Sequence, residues 1–175
     1  MIEHMTQLSL TMLSQVMGKI DFDFGNWWED MCFNHGPLVS PTFFNEIMVP
    51  RYKRITSYLA NYGVKYHVLD CDGNITKLVP GWLYACINVM FPVEAAHTDQ
   101  AALRKEYGKQ VRFMGGVNKM ALIKGKDTID QEMDRIARLM EDGGFIHHVD
   151  HRCPPDVTLE NYLYYIKRKR EVIGK

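Results

Sequence analysis

Five strand-like runs, each followed by a helical stretch or turn, predict an α/β protein built on a parallel sheet. Two of these runs carry the chemistry. Tyr66-His-Val-Leu-Asp-Cys-Asp-Gly-Asn74 and Gly144-Phe-Ile-His-His-Val-Asp-His151 are apolar stretches that end in carboxylate or imidazole groups just before a turn. The 175 residues are 46% hydrophobic and 24% charged, enough for one real core, and a single domain over residues 1–175 is expected.

The first element is a helix over residues 2–17, with Ile2, Met5, Leu8, Leu10, Met12, Leu13 and Val16 as its apolar face and Gly18 as its stop. A strand from Ile20 to Trp28 follows. Ser40-Pro-Thr-Phe-Phe opens a second helix to about Tyr62, in which Pro50 predicts a kink or break. Gly63 closes it ahead of a strand from Val64 to Asp70. Helix Ile75–Ala85, strand Ile87–Pro92, helix Asp99–Tyr107 and strand Val111–Gly115 come next. In the helix Thr128–Glu141, Ile129, Met133, Ile136 and Met140 fall at helical spacing before Gly143-Gly144. The last strand is Phe145–Val149. A final helix begins near Thr158, carrying Leu159, Tyr162, Leu163 and Ile166 on one side.

Several classes are excluded by composition. With 21 basic and 21 acidic side chains the formal net charge is zero, so neither nucleic acid nor an anionic membrane is an expected partner. No apolar run approaches the roughly 20 residues that span a bilayer. Cys32, Cys71, Cys86 and Cys153 form no CxxC pair and follow no secretory segment, which suits a reducing, cytoplasmic setting.

Side chains alternate along a strand, so Asp70 and Asp72 share one face at a strand's carboxyl end, where parallel barrels place their sites. Asp-Gly-Asn is also good turn and helix-capping chemistry. His151 and His147 share a parity, but His147 lies four residues deeper and reads as core; His148 and Asp150 read as structural or rim. Glu29 and Asp30, after a Trp-Trp pair, and Glu94, after Phe91-Pro-Val, end other strands and are candidate acid/base or binding groups. Gly115-Gly116 with Asn118 and Lys119 stands where barrels often bind phosphate, although the glycines also suit a tight turn. His67 and Cys71 lie opposite Asp70 and Asp72.

Five strands can supply part of a (β/α)8 barrel, which needs eight strands and about 250 residues, or a complete doubly wound sheet. Periodicity does not choose between them. Ordered motifs do. Glu29-Asp-Met-Cys-Phe-Asn-His-Gly-Pro-Leu-Val-Ser-Pro41, Pro50-Arg-Tyr-Lys-Arg-Ile55, Asp72-Gly-Asn74, Phe113-Met-Gly-Gly-Val-Asn118 and Asp150-His-Arg-Cys-Pro-Pro-Asp-Val-Thr-Leu-Glu-Asn161 occur in this order. Together they resemble the uroporphyrinogen decarboxylase superfamily, which includes zinc-dependent corrinoid methyltransferases.

That resemblance implies a partial TIM barrel: five parallel βα units corresponding to the family's fourth to eighth strands. The decarboxylase arginines and catalytic aspartate lie on the first two strands and have no counterpart here, while the decarboxylase histidine after the last strand corresponds to His151. The methyltransferases hold zinc with His-x-Cys after the fifth strand and Cys after the eighth. Those positions are Asp70, Asp72 and His151 in this chain. All three remain metal-capable, but with oxygen and imidazole in place of sulfur, which suits zinc, manganese or iron and not a thiolate-rich centre.

The resemblance thus implies metal-dependent methyl transfer of the corrinoid or thiol type, or decarboxylation of a small substrate. Asp70, Asp72 and His151 are the expected metal ligands, and Glu29, Glu94 and His151 the expected catalytic groups. Asp30, Asn74, Gly115, Gly116 and Asn118 are the expected substrate-binding residues. A corrinoid protein is a further expected partner, as is a second copy or a companion chain supplying the rest of the barrel. The alternative is a non-catalytic half-barrel that works only with such a partner; a cobalamin-binding module is disfavoured by the absence of an Asp-x-His-x-x-Gly stretch.

Overall fold

A computed structural model describes residues 1–174. Its chain falls into two compact units, Met1–Met90 and Phe91–Lys175. The first begins with helix α1 (Ile2–Val16), strand β1 (Phe24–Trp28) and a small antiparallel hairpin of β2 (Cys32–Phe33) and β3 (Gly36–Pro37). Helix α2 (Pro41–Phe43), a π-helical turn (Phe44–Met48), α3 (Val49–Ala60), β4 (Tyr66–Asp70) and α4 (Val79–Tyr84) follow, and β5 (Val89–Phe91) runs across the unit boundary. The second unit holds α5 (Gln100–Tyr107), β6 (Arg112–Val117), α6 (Lys119–Lys124), α7 (Lys126–Met140), β7 (Phe145–Val149) and α8 (Leu159–Ile173). The five long strands form one parallel sheet in the order β1-β4-β5-β6-β7. Among the described residues no helix is long and apolar enough to cross a membrane.

Local chemistry explains the elements. Ser40 Oγ accepts from Phe43 N at 3.1 Å with Pro41 in the first turn, a favourable helix start. The break expected at Pro50 appears one turn earlier, as the π segment Phe44–Met48. Proline lacks an N–H and its ring crowds the carbonyl four residues back, here Glu46, so the irregularity falls on that residue. Phe44, fully buried within this segment, meets Trp82 edge-on at 5.2 Å. Asp99 caps α5 by accepting from Ala102 N at 3.0 Å, and Thr158 caps α8 by accepting from Asn161 N at 3.2 Å.

The strand faces differ in what they meet. In the first unit Trp27 packs edge-on against Tyr52 of α3, and His67 and Leu69 are buried on the same side; Phe24, Trp28 and Tyr66 on the other side stay exposed. In the second unit Phe113, Phe145, His147 and Val149 are buried, Phe113 and Phe145 edge-on at 5.8 Å, while Ile146 is exposed. Helix α7 buries Ile129, Met133 and Ile136, the spacing the sequence predicts.

Two expected helix faces come out differently. In α8 Leu159, Tyr162 and Leu163 are exposed, and Tyr165 is the buried residue. In α1 Met5, Leu8, Met12 and Val16 are exposed; only Thr6 is buried, with Leu13 partly covered by the Met17, Leu59 and Val64 cluster. Amphipathic spacing names a stripe able to be buried, and the packing partner decides whether it is.

Candidate metal centre

At the carboxyl end of β4 the Asp70 carbonyl accepts from Glu29 N at 2.9 Å and Asp30 N at 3.5 Å. Asp30 sits at φ 31°, in the left-handed region that aspartate tolerates better than most residues, so the chain turns sharply after β1. That turn carries its side chain over the strand ends. Trp28 Nε1 donates to Asp30 Oδ2 at 2.7 Å, and Asp72 N donates to Asp30 Oδ1 at 3.4 Å. One carboxylate oxygen from each of Asp30, Asp70 and Asp72 lies within 4.8 Å of the others. The shared face inferred for Asp70 and Asp72 is therefore observed, and Asp30 joins them.

The turn after Asp72 is locked by backbone. Gly73 has φ 76°, and a Cβ there would fall 2.6 Å from the carbonyl of Phe33 in the hairpin. Asn74 N donates to Phe33 O at 3.0 Å, while Asn74 Oδ1 accepts from Thr76 N at 3.2 Å, so this side chain shapes the turn.

Three carboxylates this close repel by roughly 3–4 kcal/mol per ionised pair at an effective dielectric near 20. A bound cation relieves that repulsion. The donor set is all oxygen, which fits a hard divalent ion and does not reproduce a thiolate-rich zinc centre. Cys71, between the two aspartates, is buried on the other side, where its thiol and that of Cys32 hydrogen-bond; this contact and burial push the Cys71 thiol up.

Glu29 takes the opposite direction from Asp30. Tyr52 OH on α3 donates to its Oε2, and burial pushes its carboxyl up while the Tyr52 bond pulls it down. The same burial, with the Glu29 charge, raises the Tyr52 phenol.

The second unit builds a different cluster. Lys119 Nζ lies 2.6 Å from Glu94 Oε1 and 3.7 Å from Asp150 Oδ1. Asp150 is 1% exposed and accepts from Ala95 N at 2.8 Å and Lys119 N at 3.1 Å, tying together the segments that carry Glu94 and Lys119. Burial pushes its carboxyl up, partly offset by those two N–H bonds.

Asn118 Oδ1 accepts from Met120 N at 2.9 Å as the cap of α6, and its N–H reaches Glu132. Gly115 and Gly116 lie inside β6. A Cβ on Gly115 would meet the Pro92 carbonyl oxygen at 2.1 Å and one on Gly116 the Gln100 side chain at 1.8 Å, so glycine here serves close packing. His151 lies just past β7 in the second unit and is exposed. Sequence reasoning missed Lys119 and Tyr52 as partners of acids, and placed Asp30 with substrate. Parity held a signal for Asp30, since it follows Trp28 by two residues and Trp28 pairs with Asp70.

The family model for uroporphyrinogen decarboxylase (URO-D) matches residues 28–172. The chain belongs to the uroporphyrinogen decarboxylase family. No curated protein matches it. Among solved structures this URO-D family chain is similar to a methyltransferase from Methanosarcina mazei, with 19% identity and a TM-score of 0.59 over 77% of this chain and 38% of the other. That likeness shows the fold, and the chain spans 38% of the neighbour's length, consistent with a partial barrel.

Proposed function

We propose that this URO-D family chain carries a divalent-metal site of Asp30, Asp70 and Asp72 and takes part in methyl transfer on a small, oxygen-bearing substrate. The observation that carries the reading is the convergence of three carboxylate oxygens within 4.8 Å at the strands' carboxyl ends. Support for methyl transfer over decarboxylation comes from the methyltransferase neighbour.

A bound divalent ion supplies Lewis acidity toward a substrate oxygen. The chain's own residues do the rest. Trp28 Nε1 orients Asp30 toward its two partners, and the Gly73 turn against Phe33 fixes Asp72. In the second unit Asp150 positions the segments of Glu94 and Lys119, and Glu94 is the group able to accept or return a proton there.

The test incubates the protein with methylcobalamin and a panel of small carboxylates and thiols, with manganese or zinc, and follows methylated product by mass spectrometry. The reading expects metal-dependent product that falls at least tenfold in Asp72→Asn. Product formation unaffected by a chelator, or none with any acceptor, would overturn it.

A further inference from the structure

The two connections that carry the outer members of the acidic trio also enclose a cavity with basic side chains. It holds about 430 Å3, a volume that suits a small molecule, and lies between the hairpin of β2 and β3, the chain leading into α2, and Lys77. The hairpin wall belongs to the connection from β1 to α2, which carries Asp30, and Lys77 to the connection from β4 to α4, which carries Asp72. β1 and β4 are parallel neighbours, so the cavity lies beyond the carboxyl ends of adjacent strands, where parallel α/β folds take their ligands. His35, Ser40 and Lys77 line it, with Phe33, Leu38 and Val39 as apolar surface; none of the lining residues is acidic and none belongs to the trio.

The frame is fixed and the donors are available. Leu38 N donates to Met31 O at 2.8 Å across the base of the hairpin, and Asn74 N ties the Phe33 carbonyl to the connection after β4 at 3.0 Å. Ile75 and Leu78, both fully buried, anchor the turn that holds Lys77. Ser40 Oγ accepts from Phe43 N at 3.1 Å and keeps its O–H to donate. His35 and Lys77 are exposed and have no hydrogen bond or ion pair among the described residues. Three donors with no acid beside them select an anion, whose oxygens can accept from each. Phe33 and Leu38, 62% and 70% exposed, leave apolar surface next to those donors, which suits an apolar body attached to the anionic head. The trio sets the ligand's direction. Its carboxylates repel an anion, so the charged end of a bound acid belongs at Lys77 and its uncharged end nearer the trio, with Phe33 as the wall shared by the cavity and the Gly73 turn.

We propose that this cavity binds the anionic head, carboxylate or phosphate, of a small amphipathic organic acid through Lys77, His35 and Ser40. Within the methyl-transfer reading that acid is the methyl acceptor, directed by its head so that its uncharged end meets the metal site; this role rests on that reading, whereas the binding does not.

The test titrates phenylacetate and phenyl phosphate into the purified chain, treated with chelator and held at low salt, and follows the amide shifts by NMR, with phenylacetamide as a neutral control of the same shape. Metal is absent throughout, so the outcome does not depend on whether the trio holds an ion. Saturable shifts are expected at His35, Leu38, Val39, Ser40 and Lys77, the tighter acid identifying the head group, and phenylacetamide should bind at least tenfold more weakly. Lys77→Met should weaken the acid about threefold to fivefold, the range of an exposed charge pair, and Lys77→Arg should keep its affinity. Both variants should keep the fold by circular dichroism, since Lys77 is exposed. Added salt should weaken the acid and leave phenylacetamide unchanged. No saturation by either acid up to tens of millimolar, equal binding of phenylacetamide, or wild-type affinity in Lys77→Met would overturn the proposal. So would saturable shifts confined to residues outside the cavity.

Discussion

Replacing Asp150 with alanine removes the one carboxylate that accepts both Ala95 N and Lys119 N and stands 3.7 Å from the Lys119 ammonium. Each buried N–H left without an acceptor costs about 1–3 kcal/mol. Two of them set a loss near 4 kcal/mol, reduced because burial already disfavours the Asp150 charge and its removal returns part of that penalty. The net expectation is about 3 kcal/mol, or a melting temperature lower by about 6–12 °C for a chain of this size. Asparagine keeps one acceptor oxygen but turns an amide toward the second N–H, so Asp150→Asn should lose roughly half as much. Urea denaturation gives the free energies, and hydrogen exchange should quicken at Ala95 and Lys119 before it does elsewhere. A loss under about 1 kcal/mol in Asp150→Ala, with exchange at both amides unchanged, would refute the role of Asp150 as the tie between these segments.

His147 is 3% exposed and its Nε2 has no partner among the described residues; burial first, then the Lys169 and His148 charges, pushes its pKa down to about 4. The unfolded chain, titrating near 6.5, binds the extra proton between those values, so stability should rise with pH from about 4 to about 6.5 and then level. The rise is at most about 3 kcal/mol, at roughly 1.4 kcal/mol per pH unit. His147→Leu should flatten it, as urea midpoints at pH 5 and 7.5 would show; an unchanged slope would remove His147 as its source. Gly73→Ala places a Cβ 2.6 Å from the Phe33 backbone at φ 76°, and about 2–4 kcal/mol of destabilisation is expected from strain and overlap. It should also weaken divalent-ion binding, because the turn carries Asp72; full stability and affinity in this variant would mean that the hairpin yields freely.

Much of this architecture is legible along the chain, for identifiable reasons. The strand Phe145–Val149 and the buried stripe of α7 emerge because glycine punctuation and periodicity agree with the tertiary context. Asp70 and Asp72 share a side because strand alternation survives past the last ladder residue. The hairpin Cys32–Pro37 was not legible, since two-residue strands carry no periodicity and this one is held by distant contacts with Gly73 and Asn74. Helix α6, six residues long, is too short for a helical period and depends on the Asn118 cap. Glu29 and Asp30 look alike in sequence, yet alternation sends one to Tyr52 and the other to the acidic cluster. Gly115 and Gly116 suit a phosphate loop in sequence, whereas Pro92 and Gln100 occupy the space beside them.

Calorimetric titration of a divalent ion, manganese and zinc in turn, into the wild type, Asp30→Asn and Asp72→Asn tests the central claim most directly. Each variant removes one charge and keeps the side-chain shape, so the carboxylate trio of the first unit is probed without disturbing the fold. The account predicts about one ion per chain in the wild type and affinity at least tenfold weaker in both variants, judged from the 10–100-fold effects of outer-shell changes at metal sites. No binding by the wild type, or equal affinity in all three proteins, would contradict it and leave Asp30, Asp70 and Asp72 as turn-forming residues at the end of β4.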